Sequence, residues 1–244
     1  MTIVSFEAVL AQMGVGPASL PTADGDALDR DGFAILRNVF EAAQCAVLRD
    51  TFERRYMPGE AWPFPRGRGA RHSLLWQEEV VWRACLHPRV LAAVHHILRR
   101  RFYLASVEGR DPRAGEGYQT LHRDWIAPQG PAPMVVALAF LDPFGPDNGA
   151  TRLLPGTHLT GGGPDIFAAA GADHPDQIVL QGVAGDVLVF DGYLAHAGTR
   201  NVSGAPRRNL QISFLGIEEP GNQTTIRNVA AAPPGLRYML GRDD

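Results

Sequence analysis

The chain reads as mainly β with flanking α: a β sandwich or jelly roll with its helices gathered in front. Three observations predict this. The first third carries apolar residues at helical spacing, the remainder breaks into short apolar runs of strand character, and Gly, Pro and Asp punctuate those runs throughout. With 244 residues, 45% of them hydrophobic and 20% charged, the chain can bury one sizeable core, and residues 1–244 are expected to form a single domain.

Taken in order, the first strand is expected at 32–39 (GFAILRNV), a short apolar run after an acidic turn. Residues 42–56 set Cys45, Leu48 and Phe52 at helical spacing with Arg and Glu between them, and Pro58 ends that helix. The stretch 57–71 (MPGEAWPFPRGRGAR) holds three Pro and three Gly and must be a loop. Its Trp62, Phe64 and several Arg are a heavy load for a connector and suit a lid. Residues 78–101 return to helical spacing, broken near Pro88. Strands are then expected at 102–107, 118–126, 134–141, 151–154, 177–180, 186–190, 193–196 and 207–217. Short strands at this spacing favour a sandwich or jelly roll over a parallel α/β sheet. Helices first and strands later imply helices packed on one sheet of the roll. The tail, 218–244, is Pro/Ala-rich until 235–241 (GLRYMLG), which has room for a closing helical turn or two.

Composition removes several classes of function. A formal net charge of -3 offers no attraction to nucleic acid or to an anionic membrane. All 23 basic residues are Arg, so a Lys Schiff base, a P-loop Lys and a Lys general base are excluded. Cys45 and Cys85, each in a helical stretch, make neither a disulfide framework nor a zinc ribbon and fit a reducing compartment. Residues 1–14 lack a basic start and a long apolar core, and no apolar run reaches membrane-spanning length. The expectation is a cytoplasmic protein in which the sequons at Asn201 and Asn222 are accidental. Oligomeric state is not legible.

On a strand, residues two apart project the same way, so His122 and Asp124 in QTLHRDW would point together while Arg123 points to the opposite face. One imidazole and one carboxylate on a rigid element occupy two sites of a metal, and a third ligand would complete a facial two-His-one-carboxylate set that leaves positions open for chemistry at Fe(II). In a chain with eight His, H-x-D alone is a weak signal. The weight comes from 185–214, where an apolar strand leads to His196, a polar turn follows and a new strand starts at Arg207. There Arg208, Leu210, Ile212 and Phe214 share one face, and Arg207, Asn209, Gln211 and Ser213 the other. The apolar face should lie beneath the helices and the polar face should line a cavity. A buried Arg207 would then need an anion, and the distal carboxylate of 2-oxoglutarate fits a guanidinium well.

These residues resemble the phytanoyl-CoA dioxygenase family of Fe(II)/2-oxoglutarate oxygenases. The likeness lies in Gln119-x-x-His122-x-Asp124, in Asn148-Gly149-Ala150-Thr151 running to Leu154-Pro155-Gly156-Thr157-His158, in Gly185-Asp186 leading to His196 and Arg207, and in Asp31-Gly32-Phe33. It spans residues 28–241. The resemblance implies a double-stranded β-helix, a cupin-like jelly roll. It also implies iron on His122, Asp124 and His196, and 2-oxoglutarate held by Arg207 with Gln119 and Thr151 as secondary contacts. Gln119 has the wrong strand parity for this unless a bulge intervenes. The implied reaction oxidises a small-molecule substrate with O2, by hydroxylation or a related outcome, and releases succinate and CO2. Related halogenases replace the carboxylate ligand with a small residue; Asp124 argues against halogenation.

Two departures stand out. The family often carries Ser two residues after the distal His, where this chain has Gly198 followed by Thr199. It also often sets a Lys against 2-oxoglutarate, and an Arg from 57–71, Arg110 or Arg113 is the candidate substitute. Elsewhere the bland reading holds. His95 and His96 belong to core or surface, and His158 supports a turn. His72, His87 and His174 are solvated, Arg99-Arg100-Arg101 is a solvated helix end, and Trp62, Phe64 and Trp125 pack, unless Trp125 walls the pocket. Two rival functions remain at this point: a cupin-like metal isomerase or hydrolase that does not use 2-oxoglutarate, and a non-catalytic ligand-binding protein.

Overall fold

Two antiparallel sheets face one another, and helices cover the outer face of the larger one. The computed structural model describes residues 5–55, 78–125, 131–160, 173–218 and 239. The helices are α1 (Phe6–Gln12), α2 (Thr22–Asp31), α3 (Ala42–Arg55), α4 (Glu79–Cys85) and α5 (Pro88–Leu98). The strands are β1 (Phe33–Leu36), β2 (Phe102–Arg110), β3 (Met134–Phe140), β4 (Thr151–Leu153), β5 (Ile178–Val179), β6 (Val187–Asp191), β7 (His196–Gly198) and β8 (Asn209–Gly216). The large sheet runs β1-β6-β3-β8-β2 and the small one β5-β4-β7, forming the two sheets of an open jelly roll with no closed barrel.

The two-residue period of each central strand decides what it faces. Val135, Ala137 and Ala139 of β3, Val187 and Val189 of β6, and Leu210, Ile212 and Phe214 of β8 join Leu48, Phe52, Leu91, Val94 and Leu98 in the core beneath the helices. The alternate residues Val136, Leu138, Phe140, Leu188 and Phe190 turn inward to meet Leu153 and Leu180 of the small-sheet side. The face split expected for 207–217 is therefore realised, with the apolar set under the helices.

Local chemistry sets the helix ends. Leu86 and His87 separate α4 from α5, and Pro88 opens α5 with its fixed φ. His87 is half-buried and caps α5, its Nδ1 accepting the Arg89 N–H at 3.3 Å, so it is not the solvated residue expected. Burial pushes its pKa down. Gly32 closes α2 at φ 81, where a Cβ would lie 2.5 Å from the His158 ring. His158 in turn sits 3.3 Å from the Asp29 carbonyl, the turn-supporting role expected of it. Of the three Arg that follow α5, Arg99 is exposed and paired with Asp29, whereas Arg100 donates to the Ala132 carbonyl at 3.0 Å. The run is only partly a solvated end.

Two strand expectations need correction. Of the strand expected at 118–126, the described residues 118–125 form none; only His122 makes a β-bridge, to His196. Residues 192–194 turn, and β7 begins at His196, where the expected strand ended. The loop 57–71, His72, Trp62, Phe64 and Asn222 lie outside the described residues. Of the tail, Met239 is described; it is helical and fully buried against the helix-side core. Asn201 is fully buried, and its amide donates to the Pro112 and Ala205 carbonyls, so this sequon is structural. Among the described residues no helix is long and apolar enough to cross a membrane.

Gly185 and Asp186 fasten β6 to the end of β1. The Gly185 carbonyl accepts from the N–H groups of Val39 and Phe40, and the fully buried Asp186 carboxylate accepts from the Asn38 and Val183 N–H groups and from Arg37. Gly185 has φ 98, and a Cβ there would lie 2.3 Å from the Phe40 carbonyl oxygen. Gly185→Ala is expected to lower stability by about 2–4 kcal/mol, through left-handed strain plus a forced backbone shift. Urea unfolding checks this; a midpoint unchanged from the parent would show that the junction yields without strain.

Candidate active site

His196 is the first residue of β7 and pairs with Leu153 of β4 on one side. On its other side it exchanges two backbone hydrogen bonds with His122, 3.0 Å from His122 N–H and 2.9 Å to the His122 carbonyl. This bridge adds one residue pair to the small sheet and sets the two imidazoles side by side, with ring centroids 4.5 Å apart. Asp124 follows on a bend, its carboxylate 3.9 Å from His122 Nε2 and 3.6 Å from His196 Nε2. One ligand-type atom from each of the three residues lies within 4.8 Å of the others. The sequence paired these residues by strand parity; the bridge and the bend bring them together instead.

The hydrogen bonds of each imidazole assign its tautomer. His122 Nδ1 lies 2.8 Å from the Thr120 carbonyl and His196 Nδ1 lies 3.0 Å from the Leu194 carbonyl. A carbonyl can only accept, so each Nδ1 carries a proton, and in the neutral ring each Nε2 keeps its lone pair. Both lone pairs belong to the atoms nearest Asp124. The Asp124 Oδ2 is buried with no hydrogen-bond partner among the described residues. Two oriented nitrogen lone pairs and an unsatisfied carboxylate oxygen are what a divalent transition metal needs, and unpaired burial of that oxygen is costly otherwise. The residues present fit a metal ion.

A second feature lies on the inner wall. Arg207, just ahead of β8, is 8% exposed and lines the same cavity as the three ligand-type residues, together with Asn209 and Gln211 of the polar face. Its guanidinium stacks over the Phe144 ring at 4.8 Å. Its Nε is buried without a partner, and among the described residues nothing is hydrogen-bonded to its side chain. Burial pushes the Arg207 pKa down to about 10, only partly offset by the nearby Asp111 carboxylate. The same burial raises the pKa of Asp111, which spends one oxygen on the Arg207 backbone N–H at 3.1 Å. A desolvated cation with its fork unused is a site for an anion.

Gln119 and Thr151 both line this cavity. The parity objection to Gln119 disappears because its segment is irregular there. Its Oε1 accepts the Gly198 N–H at 3.0 Å, which fixes the amide flip and leaves its NH2 as a donor. Gly198 stands where relatives often have Ser for a steric reason: a Cβ would lie 2.5 Å from the Gly117 carbonyl oxygen. Of the candidates to replace a Lys, Arg110 lines the cavity and is paired with Glu108, while Arg113 is exposed and outside it. Trp125 packs with Tyr103 and Leu215 and does not wall the cavity. His95 and His96 sit on α5; His96 is 3.1 Å from Asp29, and neither belongs to the metal-like group.

One residue that sequence reasoning missed is Arg152, which is 1% exposed on β4. It donates to the Gln119 carbonyl at 3.0 Å and to Asp173 and Gln177 at 2.8 and 3.1 Å, so it holds the Gln119 segment against β4 and β5. The signal was an Arg inside a strand of otherwise inward apolar residues, TRLL, which calls for internal acceptors.

Comparison with known proteins agrees with this geometry. A phytanoyl-CoA dioxygenase family model matches residues 28–209. The ectoine dioxygenase of Nocardia farcinica is 25% identical, across 88% of this chain and 83% of that one. Among solved structures, HygX from Streptomyces hygroscopicus, with nickel and 2-oxoglutarate bound, superimposes with a TM-score of 0.69 at 19% identity, covering 80% of this chain and 87% of its own. The non-haem alpha-ketoglutarate-dependent epimerase SnoN from nogalamycin biosynthesis gives a TM-score of 0.66 at 15% identity, covering 80% and 83%. The family match takes in the segments that carry His122, Asp124 and His196 and reaches Asn209 on β8, and on that ground the chain belongs to the phytanoyl-CoA dioxygenase family.

Proposed function

We propose that the protein is an Fe(II)/2-oxoglutarate-dependent dioxygenase that hydroxylates an unactivated C–H bond of a small metabolite. The observation that carries this reading is the coexistence, in one cavity, of the His122, Asp124 and His196 group with the buried, unpaired guanidinium of Arg207. A metal isomerase or hydrolase on the same roll has use for the first and none for the second. Family membership and the nickel and 2-oxoglutarate bound by HygX support the same assignment.

In this reading His122 and His196 offer iron their Nε2 lone pairs, held in aim by the Thr120 and Leu194 carbonyls behind them. Asp124 supplies the negative charge. Arg207 takes the distal carboxylate of 2-oxoglutarate, and Gln119 and Thr151 offer polar contacts along its length. Leu138 and Phe190 close the inner wall and exclude water from the reacting end. Iron with 2-oxoglutarate supplies the oxidation itself, O2 being reduced as the co-substrate loses CO2 to become succinate and the substrate carbon gains oxygen. The protein thus binds, orients and keeps dry, and no side-chain general base is needed. The retained carboxylate at Asp124 favours hydroxylation over halogenation, because halide needs the position that this oxygen fills.

Two outcomes are expected. Fe(II) and 2-oxoglutarate added without oxygen should give a visible charge-transfer band, and Asp124→Ala should abolish it; an intact, metal-loaded parent without the band would sink the assignment. Arg207→Ala should weaken 2-oxoglutarate binding by about 2–5 kcal/mol, roughly 30-fold or more, while leaving metal uptake in place. Because the unliganded protein buries this cation unpaired, the same variant should change apo stability by only about 1 kcal/mol. Calorimetric titration together with thermal unfolding separates the two effects; equal 2-oxoglutarate affinity in parent and variant would favour a metal enzyme of another class.

A further inference from the structure

The Leu154-Pro155-Gly156-Thr157 motif has no place in the cavity, yet it touches both ligand-bearing segments. The Leu154 N–H donates to the Ala195 carbonyl at 2.9 Å, and the Ala195 N–H donates to Thr157 Oγ1 at 2.9 Å. Thr157 Oγ1 donates to the Leu154 carbonyl at 2.8 Å, so its one hydroxyl both closes the turn and grips the residue before His196. From the other segment, Arg123 sits between His122 and Asp124, and its Nη2 donates to the Thr157 carbonyl at 2.7 Å and the Thr160 carbonyl at 3.0 Å. Beneath these bonds Leu121, Leu154, Ala195 and Ala197 form a separate buried apolar cluster, made of the neighbours of both His ligands and the start of the turn.

Arg123 is an unusual choice for a surface anchor. Its guanidinium is half-buried, its Nε has no partner among the described residues, and both of its hydrogen bonds there go to backbone carbonyls rather than to a carboxylate. Two carbonyls three residues apart in a turn point the same way, and a planar guanidinium can meet both from one nitrogen. Holding it there is useful only if the turn must stay fixed against the His122–Asp124 segment. That segment has no strand of its own; beyond the bridge at His122 its backbone is held only past Asp124, by the Trp125 N–H donating to the Gly192 carbonyl at 3.2 Å.

We infer that Arg123 and Thr157 are positioning residues: through the turn at 154–160 they set the spacing between Asp124 and the two imidazoles, and thereby the affinity for the metal. The inference rests on the iron reading above. Arg123 fixes the H-x-D segment from behind, Thr157 fixes the peptide leading into His196, and the turn between them acts as the common support.

The test is anaerobic titration of the full chain with Fe(II), and with Co(II) for its ligand-field spectrum. Arg123→Met keeps the stem and removes both hydrogen bonds; Thr157→Val keeps the shape and removes the hydroxyl. Each should weaken metal binding roughly 10- to 100-fold, the range seen when supports behind metal ligands are removed, and should alter the Co(II) spectrum. Arg123→Lys and Thr157→Ser, which can remake a bond to the same acceptors, should recover much of the loss. If the variants unfold more easily when apo but bind metal with parental affinity and spectrum, the bonds are merely structural and the inference falls. If the parent itself takes up no metal, or takes it up equally after Asp124→Ala, the iron reading has failed and this one with it. Parental uptake that depends on Asp124 but is indifferent to Arg123 and Thr157 overturns only the positioning role.

Discussion

The site depends on a pair of backbone hydrogen bonds between two residues that are also its two imidazoles. His122 has no strand around it; its place comes from exchanging N–H and carbonyl with His196 at the free edge of β7. That edge would otherwise be a row of unpaired donors and acceptors between the sheets. Using it to seat a ligand satisfies the edge and brings the rings together in one act. The tautomers and the aim of both Nε2 atoms are then set by the Thr120 and Leu194 carbonyls behind the rings.

Why the surrounding roll is rigid enough for this is a matter of period. The central strands β3, β6 and β8 send alternate residues to a helix-covered core and to the space between the sheets, so a one-residue slip would exchange the two sets completely. Arg207 and Arg208 make the point in one step. Arg208 turns outward to Asp142 and Glu53, and the hydrogen bonds to Asp142 above all, with the charges of both, raise its pKa, tying the start of β8 to the end of β3 and to α3. Arg207, its neighbour, turns inward with no such partner. Two adjacent residues of one type thus anchor the strand on one side and line the cavity on the other.

Much of this was legible in the sequence because it is periodic or ordered. The β8 face split follows from alternation alone, and the gathering of His122, Asp124, His196 and Arg207 follows from the sequence of motifs. What was not legible arises where no period operates. QTLHRDW has strand-like alternation, but Gly117, at φ 92, carries the chain close past Gly198, and the segment meets β7 with its backbone at a few points only. A strand reading there brings His122 and Asp124 together by the wrong route, and it misplaces Gln119. Gly198 was read as a missing Ser; its cause is the Gly117 carbonyl, a contact between residues far apart in sequence. The hold of Arg152 on the Gln119 carbonyl and the Arg123 clasp are likewise long-range, and these acceptors are backbone carbonyls, which no side-chain pattern reveals.

The position of Arg207 has a consequence for how a turnover ends. In the proposed reaction, loss of CO2 consumes the chelating end of 2-oxoglutarate and leaves its far carboxylate untouched, so succinate keeps the group that Arg207 holds. The product would therefore keep the salt link that seated the co-substrate, and its departure would leave a buried cation with no side-chain hydrogen bond among the described residues. Release is opposed by the very desolvation that makes the co-substrate welcome. The resting enzyme is then one whose cavity favours small dicarboxylates in general, and selection for 2-oxoglutarate among them falls to the metal end.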